Sequence, residues 1–275
     1  MHRFAVVAAL AAALAAGCGG GGGARGVFAE MVSNFGKIKS GTLGMALLIT
    51  PRGSTGGSDF GFQLHGPFAL RRSGQLPVAD VAYTQIASGR RATVTVISTG
   101  TQAFVETGGK TYELPSSAVE RLRSSGGGGS PSGLSQLDIG DWVKDAKRAS
   151  CGEARGVDCV ESDLNVVAAA NDLLDLGGRL AGQEYPRLHG RSAQQLRDAV
   201  RSAKLKLATG AHDRLLRSLV IDVNLGLDVP EQLRSALGNI VGAKIHFALS
   251  VGRPNRPVHV AAPQGALPSS ALPGF

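Results

Sequence analysis

Aromatic residues are scarce in this 275-residue chain, which holds nine Phe, three Tyr and a single Trp. No basic stretch interleaves with them, so the stacking platform of a nucleic-acid binder is excluded, and no nucleic-acid partner is expected. Cysteine is scarce too, with three in all. Cys151 and Cys159 lie near no His or third Cys at ligand spacing, which argues against zinc. His65, His189, His212, His246 and His259 are scattered. There is no His-Glu-x-x-His, no Gly-x-Ser-x-Gly and no pair of carboxylates in a cleft pattern. The reading is therefore no catalytic residue, no metal and no cofactor, with an unrecognised hydrolase as the weaker alternative. Beyond the first residues no apolar run reaches the roughly 18–20 residues that a membrane-spanning helix needs.

One stretch invites a nucleotide-binding reading. QAFVETGGKTYELP, residues 102–115, contains Gly109-Lys110-Thr111, the end of a phosphate-binding loop. That loop requires a glycine five residues before the last one, and position 104 is Phe104. Gly-Gly between alternating segments is instead a hairpin signal, because both turn residues tolerate positive φ. Setting Thr107 opposite Lys110 places Val105 across from Tyr112 and Ala103 across from Leu114. That face is apolar, while Phe104, Glu106, Thr111 and Glu113 point the other way.

The amino terminus sets the compartment. A short basic segment, Met1-His2-Arg3, precedes thirteen apolar residues, Phe4 to Ala16, whose end forms Ala15-Ala16-Gly17-Cys18. This reads as a secretory signal. Its small-residue run ending in cysteine resembles the lipobox of bacterial lipoproteins, although Ala15 stands where leucine is usual. The resemblance implies that Cys18 is acylated and anchors the chain to the membrane; the alternative is an ordinary secretory signal with an incidental cysteine. Residues 19–23 are glycine and form a flexible tether. With Cys18 acylated, Cys151 and Cys159 remain as an even pair in an exported chain, and a disulfide is expected. The chain from Cys18 keeps 28 basic and 21 acidic side chains, a net +7 that suits anionic membrane surfaces or head groups. Arg71-Arg72 and Arg90-Arg91 read as isolated, solvated pairs.

Along the chain, residues 26–37 show one apolar helical stripe of Val27, Phe28, Met31, Val32 and Phe35. Strand alternation follows in 42–50, with Leu43, Met45, Leu47 and Ile49 on one face. Further strands run through Phe60, Phe62 and Leu64, then Val81 and Tyr83, then Val94 and Val96. Gly56-Gly57, Gly66-Pro67, Gly74, Pro77 and Gly89 are read as the breaks between them. A glycine-serine-proline linker occupies 124–133, and 134–147 is expected to hold a short helix around Leu137, Trp142 and Val143. Residues 160–166 are ambiguous, 168–180 are helical, and Ser192 should cap a helix through Arg201. Asp228 and Pro230 could start another helix. Strands return at Leu205 and Leu207, at Leu219, Ile221, Val223 and Leu225, and at Ile245, Phe247 and Leu249. Asp213 reads as a turn residue.

Five phrases occur in an order that resembles a known family: GPFALRRSGQLPVADVAYTQIAS, STGTQAFVETGGKTYELP, DWVKDAK, HDRLLRSLVIDVNLGLDVPEQLR and GRPNRPVHVAAP. Together they look like the actinobacterial lipoproteins of the LppX/LprG type, relatives of the LolA lipoprotein carrier, from about Ala29 to Pro268. The resemblance implies a LolA-like α+β fold: an antiparallel sheet curled into a half-barrel, with helices covering its concave apolar face. It also implies a lipid or other acylated amphiphile as ligand, held in a cavity and carried within the cell envelope. The alternative is an envelope scaffold or interaction lipoprotein of the same fold with a filled core. The expected organisation is a signal peptide over 1–17, the lipidated cysteine and tether over 18–25, and one domain over 26–275, monomeric and facing the extracytoplasmic side. The strand parity nominates a cavity wall of Phe60, Phe62, Leu64, Val81, Tyr83, Val94, Val96, Val105, Tyr112, Leu219, Ile221, Val223 and Phe247.

Overall fold

The computed structural model describes residues 23–52, 58–72, 75–125, 139–152, 155–181, 183–226 and 242–271. The signal segment, Cys18, Leu137 and the helix expected after Asp228 lie outside these residues. The chain begins with helix α1 (Ala24–Asn34), continued by a 3-10 turn over Phe35–Lys37. Six strands follow: β1 (Ser40–Pro51), β2 (Phe60–Ala69), β3 (Val78–Ala87), β4 (Arg90–Thr99), β5 (Ala103–Thr107) and β6 (Lys110–Glu113). Helix α2 (Ser116–Ser125), a 3-10 turn over Ile139–Trp142, and strands β7 (Val143–Ala149) and β8 (Val157–Leu164) come next. Helices α3 (Val166–Ala181) and α4 (Gly190–Ala199) precede β9 (Val200–Gly210), β10 (Leu216–Leu225), β11 (Ala243–Gly252) and the short β12 (Leu267–Pro268).

All twelve strands join one open, curled sheet in the order β12-β6-β5-β4-β3-β2-β1-β11-β10-β9-β8-β7. Every neighbouring pair is antiparallel except β12 with β6, which makes the sheet mixed rather than wholly antiparallel. The meander β6 to β1 follows from short connections between alternating segments. Two of its turns have two residues each, Ser88-Gly89 and Gly108-Gly109, all with positive φ. Type I′ turns of this kind match the twist of the flanking strands.

Glycine also works inside a strand. Gly66-Pro67 is not a break, as the sequence suggests, but lies within β2. Gly66 has φ 154°, and a Cβ there would collide with the Asp80 carbonyl of β3. The β2–β3 ladder pairs His65 with Ala82 and next Phe68 with Ala79. Proline has no N–H to donate, so an interior strand can keep it only where the ladder is interrupted.

Three local expectations are corrected. The segment 139–149 forms a 3-10 turn and strand β7 instead of a helix. A register shift between Lys144 and Lys147, with Asp145 at φ 45°, separates the core-packed Val143 and Ala146 by three residues, which mimics a helical period. Helix α4 is capped by His189 rather than Ser192. The Ser192 hydroxyl sits at the third helical position, where it accepts from the His189 N–H at 3.1 Å. That helix ends at Ala199, because Leu205 and Leu207 commit the following residues to β9.

The main core lies between α1 and the β8–β11 part of the sheet. Val27, Phe28 and Met31 of α1 pack with Val160, Leu205, Leu207, Leu219 and Leu249. Trp142 joins them, and its indole N–H donates to Asp172 of α3 at 2.8 Å. A second cluster holds α3 and α4 together through Leu174, Leu188, Ala193 and Leu196, packed with Leu225 of β10. The disulfide Cys151–Cys159 closes the β7–β8 connection, with its Cα atoms 5.4 Å apart.

Candidate functional site

Directly opposed residues of neighbouring strands point to the same side of a sheet, as do residues two apart along a strand. The register therefore assigns every side chain to a face. Leu47 pairs with both Phe62 and Phe247, and Phe247 pairs with Ile221. Met45 links Leu64 to Leu249, which meets Leu219. Leu64 pairs with Tyr83, Tyr83 with Val94, Val81 with Val96, Val96 with Val105, and Val105 with Tyr112. Phe60 and Val223 join through Ile49 and Ile245. All thirteen nominated residues thus fall on one face, the one that α1 covers.

The cover is incomplete. Leu205, Leu207, Leu219 and Ile221 are buried beneath α1. At the other side of the sheet Val119 of α2 packs with Leu76 and Ala103, and Tyr112 is buried. Between these two covered zones Phe60, Phe62, Leu64, Val81, Val94 and Val105 are only half-buried. Tyr83 is 38% exposed and Val96 42%. The rings of Phe62 and Tyr83 stack with centroids 6.1 Å apart. Among the described residues, the middle of the apolar face of the curled sheet is consequently a trough that is only partly covered.

Sequence alternation missed part of this surface. Met45, Leu47, Ile49, Ile245 and Leu249 belong to the same face; their alternation was visible, but the register that joins them was not. Conversely, Phe104 is buried even though it occupies the opposite face. The cover over Phe104 could not be read from hairpin parity.

Charge is divided between the two faces. In β1–β6, β11 and β10 beyond Arg217, every carboxylate — Asp80, Glu106, Glu113 and Asp222 — has the parity opposite to the apolar face. The same segments contribute only two charges to the apolar face, Arg90 and Lys110. The outer face carries several ionic contacts. The Asp222 carboxylate lies 2.7 Å from His246 Nδ1, and Asp163 lies 2.6 Å from Lys204. The Lys204 hydrogen bond and charge hold the Asp163 carboxyl below its ordinary range.

At the disulfide end Arg214 joins three elements. It pairs with Asp158 of β8 and, through Nε at 3.0 Å, with Glu30 of α1. Its pKa is raised, first by the hydrogen bond to Asp158. Asp213 Oδ1 accepts the Leu215 N–H at 3.0 Å, so Asp213 is a turn residue. Among the described residues no group of three or more His, Cys, Asp or Glu side chains could hold a metal, and no helix is long and apolar enough to cross a membrane.

These features define the class: an α+β protein on one open, curled sheet whose helix-covered face is apolar. No protein family and no curated protein matches the chain. Solved structures resemble it over most of its length, two of them mycobacterial proteins. One is LprF from Mycobacterium bovis, with TM-score 0.40 and 11% identity, covering 87% of this chain and 96% of that one. The other is the lipoprotein LppX from Mycobacterium tuberculosis, with TM-score 0.37 and 10% identity, covering 86% of this chain and 98% of that one.

Proposed function

We propose that this protein is a lipoprotein anchored through acylated Cys18 on the extracytoplasmic side of the membrane. Its single domain, residues 26–275, binds the acyl chains of a lipid or other acylated amphiphile and carries it within the cell envelope as a monomer, without chemistry. The observation that carries this reading is the open trough of Phe62, Leu64, Val81, Tyr83, Val94 and Val96. A soluble domain rarely leaves a contiguous apolar strip uncovered unless something binds there. Burying an acyl chain gains about 0.8 kcal/mol per methylene, so a dozen methylenes supply roughly 10 kcal/mol towards extraction from a bilayer. The net positive charge favours approach to an anionic membrane.

Native mass spectrometry of the full chain, released from its membrane in mild detergent, tests the reading. The expected spectrum shows acylated molecules bound non-covalently, and an intact mass that places acyl groups on Cys18. Repeated purification of a ligand-free protein that also fails to take up added phospholipid would overturn carriage and favour the scaffold alternative.

A further inference from the structure

The fold places on one face two cations that are far apart as sequence features. Arg90 and Lys110 each follow a two-residue turn, Ser88-Gly89 and Gly108-Gly109. Both turns lie at the same end of the sheet, and both cations have the parity of the apolar face. Arg90 pairs with Ala87, two residues from Gln85, which stands between Phe62 and Ala92. Lys110 pairs with Thr107, two residues from Val105 and hence on the side of Val96. Arg90, Gln85 and Lys110 are all exposed. Arg90 lies level with Phe60 and Gln85 with Phe62 at one end of the trough, whereas Lys110 lies level with Leu64, Tyr83 and Val94, four residues further in on the β6 side.

Neither cation forms an ion pair with another described residue. The disulfide end is different: Arg148 and Arg214 meet Asp158, and Arg217 meets Asp213. The nearest carboxylate of the β5–β6 hairpin, Glu106, points to the other face. On the strands that form the trough, Arg90 and Lys110 share its face and no strand carboxylate does. Tight turns hold both cations at the first position of a strand, which limits how far they can swing away.

Resting on the reading of the trough as an acyl-chain site, we propose that its ligand is an anionic amphiphile. Arg90 and Lys110 hold the negatively charged head group, Gln85 adds a hydrogen bond, and the acyl chains run from Phe62 along Tyr83, Val94 and Val96. A guanidinium and an ammonium flanking one anion form charge-assisted hydrogen bonds that a neutral head group cannot return.

The test offers the full chain, in detergent micelles, equal amounts of dipalmitoyl phosphatidic acid and dipalmitoylglycerol, which differ only in the phosphate. Native mass spectrometry reads the bound ratio. We expect the wild-type protein to favour the phosphatidic acid by about tenfold, and about 0.5 M sodium chloride to reduce that preference. The double variant Arg90→Gln, Lys110→Gln should bind as much total lipid with a ratio within about twofold of unity, while Arg90→Lys keeps most of the preference. Wild-type binding without preference overturns the head-group assignment and leaves the trough reading intact. A preference that survives the double substitution does the same. Loss of both lipids by the double variant also overturns it, because the cations would then support the trough rather than select the head group. If the wild-type chain takes up neither lipid, the trough reading itself fails and this inference falls with it.

Discussion

Arg214 joins helix α1 to the sheet it covers: its Nε lies 3.0 Å from the Glu30 carboxylate while its Nη1 donates to Asp158. The arginine is three-quarters buried and sits at φ 54° in the turn before β10. Apolar packing through Val27, Phe28 and Met31 supplies most of the attachment of α1, and the ion pair adds direction. Replacing Arg214 by alanine should lower stability by about 1 kcal/mol after solvent screening. Amide exchange in α1 should accelerate more than in β10 and β11; equal change everywhere would contradict the assignment.

The disulfide between Cys151 and Cys159 closes a ring of nine residues, and the chain-entropy relation gives such a ring about 2.6 kcal/mol. A Cys151→Ser, Cys159→Ser variant should lose stability of that order in a denaturant titration, with a slope equal to or slightly steeper than that of the wild type because its unfolded chain is less confined. Thiol labelling of the native protein, prepared without reductant, should find neither cysteine free.

Exposure separates function from packing within the same face. Val96 is 42% exposed, so Val96→Asp should change stability by less than about 0.5 kcal/mol. The carboxylate would nevertheless sit in the open trough, and lipid recovered with the protein should fall severalfold. Leu205 is fully buried, and Leu205→Ala should cost about 2–5 kcal/mol. Equal loss of lipid and stability in the Val96 variant would show that Val96 belongs to the core.

Acid should loosen the outer face. The hydrogen bond and charge of Lys204 depress the Asp163 carboxyl below its ordinary value of 3.8. For a depressed carboxyl the stabilisation is complete above the unfolded value and is lost as pH falls through the lower folded one. Thermal unfolding followed from pH 5 downwards should thus show wild type losing ground below about pH 4, with Asp163→Asn less sensitive over the same interval. The difference will be small, because both partners are well exposed.

Local periodicity carried the strands well. Leu43, Met45, Leu47 and Ile49 alternate in β1, and the Gly108-Gly109 turn sets Val105 against Tyr112 as the sequence requires. It failed where tertiary geometry overrides local pattern. The shift at Asp145 makes a strand look helical, and Gly66-Pro67 looks like a terminator although β2 runs through it. The candidate face was legible only residue by residue. Which strands lie side by side decides that Phe62, Tyr83 and Phe247 share a surface, and sequence separation hides that order. The same pairing places Arg90 and Lys110, scattered in sequence, on the face of that trough.

Strand β12 lies parallel to β6 and hides its outer ladder. Anything that displaces this two-residue strand bares the β6 edge and exposes a sticky border for aggregation. Recombinant insertions are therefore best kept away from residues 267–268 and from the Ser88-Gly89 turn beside the trough.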